Sequence, residues 1–357
     1  MKPNDDSAKL PPEQRPFRVL IISGSDRRQY NCPGVDSKSR MLMLRMAELL
    51  PKEWEIDYED LGNVYARSRI QSCNACVSTS MALCVWPCNC YKKNDDKEPD
   101  LMWDLDMYAR LDMADAWAII GPHNWYAATS NLKLMFDRLV CMNGGNPDEE
   151  TIDHKDPEKA MAFEHTEEWK ELNINHLEGR TAGFYCYGDQ AGEERDKTGR
   201  PQILRHPEYL DPKDEEIWNT RHAYGPLVLQ CRYSGIEVPD HLWTYKVFGR
   251  DKKYSENQAE HLSSNKEVLQ HFDDWVNAFK DFVFQKGKIQ SGKYRAFGYE
   301  APKHFKADIK DGIRYFKMMI GKPEEGSSPW IQEKMDLNDD ATWHPKWGEG
   351  KKLRKSD

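Results

Sequence analysis

Two short apolar runs restrict the fold of this chain more than any other feature. Phe17-Arg18-Val19-Leu20-Ile21-Ile22 and Ala116-Trp117-Ala118-Ile119-Ile120 have the length and composition of buried strands. Each ends in a polar loop, and each loop leads into a helix. Met41, Leu42, Leu44 and Leu49 mark the first helix; Leu132, Met135, Phe136 and Leu139 fall on one face of the second. Between them, Trp54-Glu55-Ile56-Asp57-Tyr58 alternates like a strand exposed on one face, and a helix around Leu101 to Met113 leads into Ala116. This alternation predicts an α/β fold, a doubly wound parallel sheet with helices on both faces. In such sheets ligands bind in the crevice beyond the carboxyl ends of the strands. The two loops are therefore where chemistry is expected.

The first loop is Ser23-Gly24-Ser25-Asp26-Arg27, and its helix begins at Asp36-Ser37-Lys38-Ser39. Gly24 permits a tight turn, and a helix N-terminus presents unpaired amides. Hydroxyls on Ser25, Ser37 and Ser39 donate, and Arg27 or Lys38 neutralises a phosphate. The loop lacks the phosphate-loop lysine motif and the six-residue glycine fingerprint, so a nucleotide monophosphate suits it better than a triphosphate. A plainer reading has Asp36 or Ser37 capping the helix, with the serines in water. The second loop, Gly121 to Ser130, carries Pro122, His123, Asn124 and the adjacent aromatics Trp125 and Tyr126. A flat, polar-edged ring fits against either aromatic; alone, the loop reads as an ordinary connection.

The 357 residues carry a net charge of −9, which argues against nucleic acid as the main partner. No run suits a membrane span. Met1 to Pro16 lacks an apolar signal core and is expected to be a flexible arm. Nine cysteines, five of them between Cys73 and Cys90, fit a reduced cytoplasmic protein better than a secreted disulfide framework. Cys73, Cys76, Cys84, Cys88 and Cys90 are close enough in sequence to supply four thiolates to an iron–sulfur cluster or a zinc ion. A redox-active thiol pair, or thiols that merely pack a loop, are the alternatives. Cys32, Cys141, Cys186 and Cys231 read as packing residues.

Beyond Arg138 a charged insertion, about 141–179, is expected to hold a helix around Pro157 to Leu172, with His154, His165 and His176 on solvated surface. Arg180 to Tyr187 reads as the fourth strand, followed by Gly188 and Asp189. A helix over Asp214 to Tyr233 stops near Gly235. Ile236 to Val238, or Trp243 to Phe248, supplies a fifth strand. Ser264-Asn265-Lys266-Glu267 is a capping box opening a last helix that Gly287 closes. The domain is thus expected to span 17–287. A C-terminal extension, 288–357, cannot bury its own core; Trp330, Trp343 and Trp347 are expected to anchor it to the domain or to a neighbouring subunit.

Taken together, Ser23 to Arg27, the Cys73-Asn74-Ala75-Cys76 loop, Asn94-Asp95-Asp96 and the segment Pro122 to Arg138 resemble the flavodoxin-fold NAD(P)H-dependent FMN reductases. Within them the nearest likeness is to the iron–sulfur flavoprotein branch and its cluster-lacking relatives. The resemblance implies a flavodoxin-like, five-stranded sheet binding FMN. Ser25, Arg27, Ser37, Lys38 and Ser39, beside Ser23, would contact its phosphate. Pro122, His123, Asn124, Trp125 and Tyr126 would flank the ring, and Tyr187, Gly188 and Asp189 would reach its pyrimidine edge. It also implies hydride transfer from NAD(P)H through FMN to a small acceptor (a quinone, flavin, nitro or azo compound), with His123 a speculative proton donor, and assembly as homo-dimers or homo-tetramers. This chain departs from the family in its longer first loop, in Asn124 where Tyr is common, and in the wider gap between Cys76 and Cys84. Two other readings follow from the same residues: an iron–sulfur flavoprotein electron carrier, and a non-catalytic flavodoxin-like binding module.

Overall fold

The computed structural model describes residues 11–27, 37–63, 70–88, 90, 100–102, 107–125, 127–144, 156–188, 197–198, 221–249, 252 and 256–289. Its centre is a five-stranded parallel sheet of β1 (Arg18–Ser23), β2 (Glu55–Asp60), β3 (Ala116–Pro122), β4 (Thr181–Gly188) and β5 (Trp243–Val247). The strand order is β2-β1-β3-β4-β5. The helices are α1 (Lys38–Leu49), α2 (Met107–Met113), α3 (Ser130–Arg138), α4 (Pro157–Phe163), α5 (Glu167–Leu172), α6 (Gly225–Tyr233), α7 (Ala259–Leu262) and α8 (Lys266–Lys286). The doubly wound parallel sheet is the one that the alternation of apolar runs predicts, and its flavodoxin-like order is what the family resemblance implies.

Side chains alternate across a strand, so each run feeds two cores. Leu20 and Ile22 of β1 join Trp117, Ile119 and Phe184 beneath α2, α3 and α6. Val19 and Ile21 face the other way and meet Met43 and Met46 of α1, with Phe272, Trp275, Val276 and Phe279 of α8. The crossing order reverses between β1 and β3: from β1 the chain goes out to β2, then returns past it. That reversal opens a crevice at the carboxyl ends of β1 and β3.

Several local expectations are corrected. The insertion holds two short helices instead of one. Asp156 caps α4 by accepting from the amides of Glu158 and Lys159, and Thr166 caps α5 by accepting from Trp169. The last helix starts one residue later than expected, because the carboxamide of Asn265, not Ser264, accepts from the Val268 amide. The fifth strand is Trp243–Val247, while Glu237 makes only an isolated bridge to Thr181. His176 is buried, with Nε2 2.7 Å from the Gly144 carbonyl and its ring stacked on Trp86. The arm is docked where it meets the domain: Arg15 is buried and forms a two-pronged pair with Asp115, at 2.7 and 2.6 Å. Among the described residues no helix is long and apolar enough to cross a membrane.

Candidate active site

β1 delivers Ser23 to the crevice, where its hydroxyl is buried with no partner among the described residues. The chain then turns at Gly24, whose amide donates to Ile120 of β3 (2.8 Å) and whose carbonyl accepts from the Thr129 hydroxyl. Ser25 is buried, its Oγ accepting from the Arg27 amide at 3.1 Å. Gly62 is required opposite. A Cβ there would run into the carbonyl oxygens of Ser25 and Arg27, and backbone does not yield as a flexible side chain does.

Asp26 gives the loop a task that residue pattern alone did not show. Its carboxylate accepts from the amides of Ser130 (3.0 Å) and Asn131 (3.2 Å), closing the N-terminus of α3. The N-terminus of α1, the other helix leaving this edge, is treated differently. Ser37 is its N-cap but makes no side-chain cap bond, and the first turn contains Lys38 and no acid. A first turn that begins with a lysine and contains no acid favours an external anion. Arg40 pins the arrangement from below, with Nε 2.5 Å from Asp60 and Nη2 3.2 Å from the Arg27 carbonyl.

Two of the expected phosphate contacts are directed elsewhere. Arg27 donates to the Gln258 carboxamide at 3.0 Å. The Ser39 hydroxyl lies 2.7 Å from the Tyr187 hydroxyl, and both residues are buried. Tyr187 also stacks on Phe248, with ring centroids 4.5 Å apart. It therefore forms part of the floor and is not an open edge contact. Gly188 ends β4, its carbonyl accepting from the Phe248 amide. Tyr126 and Asp189 lie outside the described residues.

The loop after β3 folds back on itself between Asn124 and Ala127. Asn124 and Ala127 exchange both backbone bonds, at 2.9 and 3.1 Å, and Trp125 at the tip has φ 51° and is 94% exposed. An indole held in water on a left-handed backbone is a strained display that packing does not explain. His123 lies at its base between Tyr245 and Tyr224, with centroids 4.4 and 5.7 Å away. Its amide donates to the Tyr187 carbonyl, and its Nε2 has no partner among the described residues. Burial pushes the imidazole down to about 4, so it is neutral near pH 7 and cannot serve as a cationic proton donor. Tyr224, absent from the sequence reading, donates to the Pro122 carbonyl at 2.9 Å.

The cysteine loop lies apart from this edge, beside the C-terminal end of α3. The Sγ atoms of Cys76 and Cys90 are 3.0 Å apart, and the Ala75 amide donates to the Cys73 sulfur at 3.3 Å. A hydrogen bond from Cys90, helped by the nearby Arg138 guanidinium, lowers the Cys88 thiol to about 6, while burial raises Cys84 to about 12. Among the described residues no group of three or more side chains is placed to hold a metal ion. Cys141, Cys186 and Cys231 are buried, as packing residues should be.

Residues 17–156 match the model of a family described as NADPH-dependent FMN reductase. Over those residues the chain is similar to that family. The match marks it as an NAD(P)H-dependent flavin oxidoreductase, with FMN as cofactor and NAD(P)H as co-substrate. The matched segment contains the switch point, both loops and the cysteine segment. Solved structures similar to the chain include an FMN-dependent NADH-azoreductase from Bacillus anthracis in complex with FMN (12% identity, 74% of this chain and 99% of that one, TM-score 0.34). The flavoenzyme NAD(P)H:(acceptor) oxidoreductase of Paracoccus denitrificans is 10% identical over 76% of this chain and 99% of its own, with a TM-score of 0.35. The NAD(P)H:quinone oxidoreductase of Methanothermobacter marburgensis is 16% identical over 75% and 96%, with a TM-score of 0.36. Likenesses this distant decide nothing about the substrate. No curated protein matches the chain significantly.

Proposed function

We propose that this reductase binds one FMN along the carboxyl ends of β1 and β3 and passes reducing equivalents from NADPH or NADH to a small acceptor such as a quinone, a flavin, or a nitro or azo compound. The observation that carries the reading is the contrast between the two helix starts. Asp26 fills that of α3, whereas the first turn of α1 begins with Lys38 and contains no acid. The residues present fit the cofactor: the buried Ser23 hydroxyl, unpartnered among the described residues, and the α1 start suit a phosphate, and His123 Nε2, likewise unpartnered among the described residues, and the displayed Trp125 suit a flat ring with polar edges.

When bound, FMN supplies a ring that accepts and returns hydride. The protein's share is binding and orientation. Ser25, Ser37 and Lys38 surround the phosphate position, and Gly24 and Gly62 let the first loop approach it. His123 stays neutral and offers a ring nitrogen for a hydrogen bond. Trp125 forms a wall against which planar partners lie. Arg27 reaches the phosphate only by leaving Gln258, which makes it an auxiliary contact.

The test is an absorption spectrum of the full-length protein, before and after anaerobic addition of NADPH or NADH. Flavin bands that bleach on addition are expected. A colourless protein that takes up no added FMN overturns the proposal. Lys38→Glu is expected to weaken FMN binding at least about tenfold through charge reversal at the helix start.

A further inference from the structure

The thiols beside the C-terminal end of α3 are not used by this chemistry, and their geometry is specific. Cys76 and Cys90 lie 14 residues apart, both partly exposed, with sulfurs at 3.0 Å. Two sulfurs held by one tetrahedral zinc ion stand about 3.7 Å apart, given zinc–sulfur bonds of about 2.3 Å. The observed pair is closer than a shared metal would keep it, and only about 1 Å beyond a disulfide bond. The backbone contributes as well. Ala75 takes the left-handed conformation (φ 53°, ψ 36°), costly for a residue with a Cβ, and thereby turns the chain into the short helical turn Cys76–Ser78. The other members of the group are less suited to exchange. Cys84 and Cys88 are buried, and the sulfur–sulfur contact at 3.0 Å joins Cys76 to Cys90 and not to Cys73.

We propose that Cys76 and Cys90 form a redox-active dithiol that exchanges with low-molecular-weight disulfides. In the first step the Cys76 thiolate attacks one sulfur of the external disulfide. A mixed disulfide forms, the external sulfur–sulfur bond breaks, and one thiolate leaves, picking up the proton that Cys76 released. Cys90 then attacks the Cys76 sulfur, forming the internal disulfide and expelling the second thiolate, which takes the Cys90 proton. The dithiol loses two electrons and two protons; the external disulfide gains both and becomes two thiols.

The experiment equilibrates the full-length protein with graded ratios of reduced to oxidised glutathione, quenches with acid and alkylates the remaining thiols. Chymotrypsin must replace trypsin for mapping, because no Lys or Arg lies between Cys73 and Cys90, whereas Leu83 does. Cys76 and Cys90 are expected to lose alkylation together, as one linked species, while Cys84 and Cys141 keep their labels. In Cys90→Ser, glutathione is expected to accumulate on Cys76, since nothing remains to resolve the mixed disulfide. Cys84→Ser should leave the linkage unchanged. The proposal is overturned if both thiols stay fully alkylatable at the most oxidising ratio, or if Cys76 pairs with another cysteine. Stoichiometric zinc or iron that must be removed before Cys76 and Cys90 react also overturns it. The wild-type linkage map decides the matter even if the Cys90 variant does not fold. None of these outcomes depends on flavin.

Discussion

At the scale of single residues, the site is defined by where a side chain is absent. Gly121 lies at the end of β3, and a Cβ there would collide with the Tyr224 hydroxyl. Gly121→Ala is therefore expected to destabilise the protein by about 1–3 kcal/mol, as overpacked cores do. Tyr224→Phe removes the colliding atom, so the double variant should recover part of the loss in urea unfolding; strictly additive effects would refute the contact. His123 gives a pH signature. Its folded value, about 4, is below the ordinary value near 6.5, so the unfolded chain binds the extra proton first. Stability contributed by the neutral ring is present above pH 6.5 and is lost as pH falls toward 4, on the order of 2–3 kcal/mol. Unfolding of His123→Phe should show a shallower decline over that window. Of these residues, His123 and Trp125 were legible in the sequence as members of an aromatic loop. Tyr224 was not, because its bond to Pro122 spans 102 positions and follows no periodic pattern.

At the scale of elements, apolar runs announced the strands and one-sided apolar spacing announced α1, α3 and α8, because both signals are local. The polar clasps between elements were not legible. Asp26 caps a helix 104 residues downstream, and its position in a serine-rich loop suggested only a turn. Asp26→Ala is expected to cost about 1 kcal/mol, the usual value of an N-cap. It should also raise hydrogen exchange in the first turn of α3 while leaving α8 unchanged. Exchange that rises equally in both helices would show that the aspartate acts globally and not as a cap. The pinning of Arg27 by Arg40 is of the same kind: two arginines, one carboxylate at the end of β2, and no spacing to reveal them.

At the scale of the whole molecule, one buried carboxylate joins the start of β1 to the end of α8. Asp115 receives Arg15, the Arg18 amide that starts β1, and the Ile289 amide just beyond α8. Asp115→Ala leaves Arg15 buried and unpaired, so a loss of about 3–5 kcal/mol is expected in denaturant unfolding. Loosening should appear first around Arg15 and Ile289, read by limited proteolysis. Closure of this kind also constrains the order of assembly. On the ribosome, β1 and β3 are complete by Pro122, yet α8, which covers one face of them, begins at Lys266. At about 5–20 residues per second, synthesis of the intervening stretch takes on the order of ten seconds. Throughout that time α1 alone shields a face built for two helices. A nascent chain halted before α8 therefore presents an adhesive apolar surface, and premature termination yields an aggregating product instead of a smaller working enzyme.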